Sequence, residues 1–374
     1  MRFIGLQENL KRGLNIVGHA TAKNINLPIL NNILIKVEGG NIELVSTNLE
    51  IGVVHQVRGK IEKDGQFTVD AKLITEYVNL LNSGEKVKVE VKESELAVEC
   101  GNYKTKIKGE EAKEFPLIPT IPKDNPYVCQ ADDLKRALNS VVFAVATSEN
   151  RVELTGVLFS FIKNRLSLAA TDSYRLAEKE IAALADESSA EHKVIVPAKT
   201  IQELLRILNN FDSGNIEGTP EIKIYLSDNQ ILFTIDSVSL ISRLVNGHYP
   251  DYKQIIPAQS QMEAIIERTE LLRAVKAAAL FSKTGLNDVT LNFNKNKVIV
   301  SASSGASGES QIEVAAEVSG GDNEITINFR YLLDGLNNID DDRVKIGLLN
   351  DKQPFLLKPE KDNNYLYIVM PIGQ

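Results

Sequence analysis

Between residues 130 and 145 the apolar positions Leu134, Ala137, Leu138, Val141 and Val142 recur at the spacing that gathers them on one face of a helix. Lys135, Arg136 and Asn139 fall on the opposite face. The same alternation appears near the start of the chain, over residues 8–17, and again over 269–278. Each stretch follows a short apolar run that reads as a strand, and each begins on an acidic or hydroxyl residue suited to cap a helix. Leu10, Leu134 and Leu271 are the equivalent leucines, and Arg12, Arg136 and Arg273 the equivalent cations, roughly 130 residues apart.

A second pattern keeps nearly the same period. Residues 67–81, 194–208 and 325–336 each read as a β run entering an amphipathic helix, with Lys72, Lys199 and Arg330 near the first turn. Between the helices lie alternating stretches that read as hairpins turning at Gly39-Gly40, Lys163-Asn164 and residues 294–296. A further hairpin follows each second helix. Two landmarks with one period predict three tandem copies of an α+β unit, each with two helices packed on antiparallel sheets. Proline-punctuated segments at 115–126 and 249–258 are the expected linkers, giving domains 1–125, 126–256 and 257–374.

Composition fits this picture without sharpening it. With 43% hydrophobic and 25% charged residues the chain reads as a soluble globular protein, and no apolar run is long enough for a membrane helix. The charged N-terminus does not resemble a secretion signal, so the expected location is cytoplasmic, away from membranes. Cys100 and Cys129 form no metal or redox motif, and the four histidines are scattered. Phosphate-binding, dinucleotide-binding and nucleophile-elbow motifs are absent from the sequence. The Gly/Ser-rich stretch 301–310 is followed by a β run, so it reads as a hairpin tip; Asp340 to Asp342 reads as a solvated turn. The expectation is a protein without catalytic residues, metal or cofactor.

The net charge of −8 argues against a nucleic-acid partner only if charge is spread evenly. It is not. Lys11, Arg12, Lys135, Arg136, Arg273 and Lys276 lie on the polar faces of the first helices, and Lys72, Lys199, Arg206 and Arg330 on the second. Equivalent cations in three copies predict a shared basic face that attracts phosphates without reading bases. No aromatic residues interleave with them, which favours duplex backbone over single strands.

Several motifs, in order along the chain, resemble the bacterial sliding clamp family, the β subunit of DNA polymerase III. They are Leu27-Pro-Ile-Leu-Asn-Asn32, Leu154-Thr-Gly-Val-Leu-Phe159, Leu168-Ala-Ala-Thr-Asp-Ser-Tyr-Arg-Leu-Ala177, Leu244-Val-Asn-Gly-His-Tyr-Pro-Asp-Tyr252 and Tyr367-Ile-Val-Met-Pro-Ile372. The resemblance implies three DNA-clamp domains and a head-to-tail homodimeric ring, closed by strands of domains one and three, that encircles duplex DNA with its helices facing the hole. It implies partners in the DNA polymerase III α subunit, the clamp loader and other proteins carrying a clamp-binding peptide. The peptide pocket it implies comprises Leu154, Thr171, Ser173, Tyr174, Arg175, Leu176, Pro250, Ile255, Tyr331, Val369, Met370, Pro371 and Ile372. Asn24 stands where many members carry arginine, with Lys23 beside it as the implied DNA contact. A second reading from another class is a clamp-fold duplicate serving as an interaction platform or conferring resistance to a clamp-binding antibiotic.

Overall fold

The computed structural model describes residues 1–21, 26–185, 191–211 and 220–372. Lys23 and Asn24 therefore lie outside the described residues. The chain divides into two compact units: one holds mainly Met1–Asp133 and Lys199–Leu244, the other Leu134–Ala182 and the chain from Val245 onward. The middle repeat thus contributes strands to both.

Six helices are described: α1 (Gln7–Val17), α2 (Ala71–Asn79), α3 (Ala131–Val142), α4 (Ala198–Asn209), α5 (Arg268–Ala279) and α6 (Phe329–Asn337). They alternate as first and second helix of each repeat. Leu10, Leu134 and Leu271 are at most 3% exposed, whereas Arg12, Arg136 and Arg273 are all exposed. Ile74, Ile201 and Leu332 are the buried counterparts on the second helices. One apolar face inward and one basic face outward recur in every copy, as the periodicity requires.

The helix starts depart from expectation. α1 and α5 have no side-chain cap. Each first helix follows directly from a strand, and its leading N–H is met by a neighbouring carbonyl: Gln7 N to Glu85 O at 3.0 Å, Ala131 N to Pro220 O at 2.9 Å, and Arg268 N to Asp342 O at 2.8 Å. A backbone acceptor at the start of the following hairpin satisfies a donor that the sequence pattern assigns to a capping side chain. α2 and α6 do carry caps, with Leu73 N on Asp70 Oδ1 at 2.7 Å and Arg330 N on Asn328 Oδ1 at 2.9 Å.

The first unit contains a 13-stranded antiparallel sheet and the second a 12-stranded one. The expected hairpins are present; the stretch 301–310 is one, with Lys297–Ser304 and Gly308–Gly320 paired as far as Ser304 opposite Gly308. Each hairpin also gains a third strand, and these carry the connections between repeats. In the first unit Val238–Arg243 of repeat two pairs with Ile51–Val57 of repeat one, placing Ile241 opposite Gly52. In the second unit Tyr365–Val369 of repeat three pairs with Arg175–Ala182 of repeat two, placing Ile368 opposite Leu176. The same seam is therefore built twice, once in each unit.

Candidate functional site

Residues 171–175 turn the chain between strands Arg165–Thr171 and Arg175–Ala182 and are held by their own side chains. Thr171 Oγ1 donates to Arg175 O at 2.6 Å and accepts from Ser173 N at 3.1 Å. Asp172 Oδ1 accepts from Tyr174 N and Arg175 N, both at 3.0 Å. Ser173 sits at φ 79°, in the left-handed region that such a turn imposes.

Against this turn lies a hollow of about 190 Å³. Its floor is Leu176 and Ile368, adjacent across the seam and both fully buried. They belong to an apolar cluster with Leu158, Ala169, Ile195 and Tyr252. Leu154, Pro250, Ile255 and Met370 complete the apolar walls, and Thr171, Ser173, Arg175, Arg151 and Asp251 supply polar groups. Tyr252 donates its hydroxyl to Glu178 Oε2. Burial, reinforced by the Glu178 charge, pushes the Tyr252 phenol up, so it stays neutral and fixed as a wall. Arg151 Nη1 donates to Ser173 Oγ at 2.9 Å, bracing the turn from the opposite side. No group of His, Cys, Asp or Glu among the described residues could hold a metal. An apolar floor with a few orienting polar groups suits an inserted apolar side chain of a peptide.

Eight of the residues implied by the motifs meet at this hollow: Leu154, Thr171, Ser173, Arg175, Leu176, Pro250, Ile255 and Met370. The other five do not line it. Tyr174 is 63% exposed, and its carbonyl accepts from Met370 N at 2.8 Å. Tyr331 lies beneath the Arg175 guanidinium, 4.7 Å from ring centre to Cζ. Val369 is fully buried one residue beyond Ile368, and so on the opposite face of its strand. Pro371 bridges to Ile327, and Ile372 N donates to Thr326 O at 2.8 Å, while its side chain lines a different hollow. Arg151, Asp251, Tyr252 and Ile368 also line the hollow, and the pocket set implied by the resemblance omits them. Strand alternation selects Ile368 over Val369, a distinction visible only once the register is known.

The basic residues separate into two kinds. Lys11, Arg12, Lys72, Arg136, Lys199, Arg273, Lys276 and Arg330 are exposed, and Lys135 is half-buried. Lys72 lies 3.8 Å from Glu76 and Arg273 2.9 Å from Glu270, solvated pairs of the kind that contribute little. Arg12 also lies over the Phe211 ring at 4.7 Å. Arg206 differs from all of these. Its guanidinium donates to Asn15 O at 3.1 Å and to Ile16 O, and pairs with Glu203, so it braces the end of α1 instead of facing solvent.

The first repeat contains the same turn. Thr47 Oγ1 donates to Ile51 O at 2.8 Å, Leu49 N donates to Thr47 Oγ1 at 3.0 Å, and Asn48 Oδ1 accepts from Glu50 N and Ile51 N. Leu49, at φ 77°, stands where Ser173 does. Ile51 replaces Arg175, and Gly52 replaces Leu176. The space above Gly52 is taken by Ile118 of the first linker.

Three copies of a two-helix, double-sheet unit joined edge to edge are the architecture of DNA clamps. Family models of the DNA polymerase III β subunit match along the chain, the N-terminal domain over residues 1–119, the central domain over 129–251 and the C-terminal domain over 253–373. The β sliding clamps of Staphylococcus epidermidis and Staphylococcus aureus are each 30% identical over 370 residues, covering 96% of this chain and 96% of theirs. Among solved structures, the Pseudomonas aeruginosa sliding clamp bound to griselimycin is 28% identical with a TM-score of 0.93 over 100% of both chains. The Bacillus subtilis clamp is 26% identical with a TM-score of 0.91, over 100% of this chain and 99% of that one. The chain belongs to the DNA polymerase III β subunit family, the bacterial β sliding clamps. It functions as a DNA sliding clamp, a replication processivity factor that carries out no chemistry of its own.

Proposed function

We propose that two copies of this chain close head to tail into a ring around duplex DNA and tether the replicative polymerase through the hollow beside the Thr171 turn. The observation that carries the ring is the repeated seam. Twice, the last strand of one repeat pairs with the third strand of the repeat before it. A third use of the rule would set Tyr103–Glu110 of one copy against Gly308–Gly320 of another, along the stretches 103–108 and 308–315 that have a strand on one side only. The helices support the same contact. Leu280, closing α5, is 76% exposed, whereas its counterpart Phe143 after α3 packs against Tyr367 at 5.5 Å. Leu73 on α2 and Leu80 just after it are 51% and 78% exposed, whereas Thr200 and Ile207 at the matching places on α4 are buried.

The three domains are then residues 1–125, 126–256 and 257–374. Their exposed cations Lys11, Arg12, Lys72, Arg136, Lys199, Arg273, Lys276 and Arg330, with the half-buried Lys135, face the enclosed duplex, and Lys23 is near the first set in sequence. Such contacts are electrostatic and sequence-blind, which suits a ring that must move along DNA. The acidic balance of −8 then belongs to the other surfaces, where it discourages DNA from binding outside the hole. Arg206 is left out of this set because it braces α1.

In the pocket the α subunit of DNA polymerase III, the clamp loader and other clamp-binding proteins insert an apolar side chain onto Leu176 and Ile368. The clamps of Pseudomonas aeruginosa and Bartonella birtlesii, solved with griselimycin, support a ligand-accepting surface in this family. The protein acts in the cytoplasm, where the bacterial chromosome is replicated. The deciding experiment loads the clamp with its clamp loader onto nicked circular DNA and then linearises the DNA. Retention on the circle and loss from the linear form are expected; equal retention on both would overturn encirclement.

A further inference from the structure

The Arg175 side chain is the one polar group of the hollow that ties together three elements of its unit. Nε donates to Asp172 Oδ2 at 3.0 Å within the turn, and Nη2 donates to Phe143 O at 2.8 Å just beyond α3. Nη1 donates to Asp334 Oδ2 on α6. The guanidinium also lies over Tyr331, at 4.7 Å, and near the Phe143 ring, at 5.6 Å. Its side chain is 12% exposed while that of Asp334 is 46% exposed. Burial opposes the charge on Arg175, but Tyr367, Asp334 and Asp172 outweigh it and raise its pKa. Of the two carboxylates among these neighbours, Asp334 is the one that reaches Arg175 from another repeat.

Asp334 does not line the hollow; Arg175 does. The first repeat shows what the pair accompanies. In the identical turn at Thr47, the Arg175 position is Ile51, which cannot make such a bridge, and there a linker side chain occupies the space above Gly52. The bridge accompanies the hollow over Leu176 and is missing at the first seam, where Ile118 covers Gly52.

We propose that Asp334 is a positioning residue for the peptide pocket: it holds the Arg175 guanidinium from α6, fixes that wall, and so sets the affinity for a ligand it never touches. Without Asp334, the Nη1 end of an arginine still held by Asp172, Phe143 O and the Tyr331 ring loses its carboxylate and gains freedom to swing into the hollow. The ligand must then order it on binding. The planar fork of arginine makes it suited to this, because carboxylate contacts from two directions leave it one orientation. This inference rests on the reading of the hollow as the peptide site.

The test measures the Kd of griselimycin for the full-length dimeric clamp by titration calorimetry. Asp334→Ala is expected to raise Kd about tenfold, with Asp334→Glu recovering most of the loss. In an Arg175→Ala background, Asp334→Ala is expected to change Kd no further, which a general loosening of the fold would not produce. Binding by Asp334→Ala within twofold of the parent would overturn the proposal, as would an equal loss in both backgrounds. Ile255→Asp, at a 43% exposed position on the pocket rim, separates the two levels. If Ile255→Asp leaves Kd unchanged, the pocket reading itself fails; if it weakens binding while Asp334→Ala does not, only the positioning role fails.

Discussion

Ile118 sits directly on Gly52: a Cβ built on that glycine would lie 2.7 Å from Ile118 Cδ1. At the equivalent place in the second seam, Leu176 supplies the floor of an open hollow that Pro250, Tyr252 and Ile255 of the second linker wall without filling. The two junctions share a turn and a strand register but differ in how the linker meets the position after the turn. At the first it covers Gly52 directly. Phe115 and Ile118 pack with Ile29, Val45, Leu34 and Val54, and Ile121 packs with Tyr225, Leu232 and Ile241.

Gly52→Ala should therefore be destabilising even though Gly52 lies in a regular strand where alanine is ordinarily tolerated. The added methyl overlaps Ile118, so the linker must lift and surrender part of its burial. Overpacking of this kind costs about 1–3 kcal/mol. Urea unfolding of Gly52→Ala alone and combined with Ile118→Ala checks it. In the double variant the loss from Gly52→Ala should largely disappear, and strict additivity of the two changes would refute the contact as the cause.

His55 predicts a pH dependence. It is 4% exposed, in the strand of the first seam opposite Val238, with Nε2 3.4 Å from Ser237 Oγ. Its Nδ1, close to Gly13 of α1, has no hydrogen-bond partner among the described residues. Burial, with the nearby Arg12 charge, lowers its pKa from 6.5 to about 4. The folded chain thus resists a proton that the unfolded chain accepts. This contribution to stability is whole above pH 6.5 and declines as pH falls toward 4, by about 3 kcal/mol at most. Urea midpoints at pH 7 and pH 4.5, compared between the parent and His55→Asn, measure it. The parent should lose more stability than the variant over that interval; parallel losses would assign the pH dependence to other groups.

How much of this is legible in the sequence depends on the scale of the interaction that decides each feature. The threefold repeat is legible because helical periodicity is local: Leu10, Leu134 and Leu271 mark the inward face without knowledge of what they pack against. The seams are not, since the pairing of Ile241 with Gly52 joins residues far apart in sequence. The pocket shows both cases. The turn residues Thr171 to Arg175 are contiguous and come with their motif, whereas Ile368 and Tyr252 reach the hollow through strand register and linker path. Charge is the least legible. Lys199 and Arg206 both occupy polar positions of α4, yet one is exposed and the other is bound to the carbonyls of Asn15 and Ile16.

Leu280 offers the most direct test of assembly. It closes α5 at 76% exposure, and its backbone N–H bonds back to Ala277 O at 3.3 Å, so the side chain is presented on a fixed helix end. At the corresponding place after α3, Phe143 is half-buried against Tyr367. If the third seam forms between copies, Leu280 becomes an apolar anchor there, facing Leu73 and Leu80 on α2 of the next chain. Leu280→Asp would then bury an unpaired carboxylate, at a cost of several kcal/mol per contact, and both contacts of a head-to-tail pair would carry it. The parent chain should sediment at about twice its 41.3 kDa mass at micromolar concentration and Leu280→Asp at 41.3 kDa, with an unchanged circular dichroism spectrum. Because the substituted side chain is exposed in the single chain, loss of folding is not expected to confuse the result. A Leu280→Asp protein that remains fully dimeric would place the junction elsewhere.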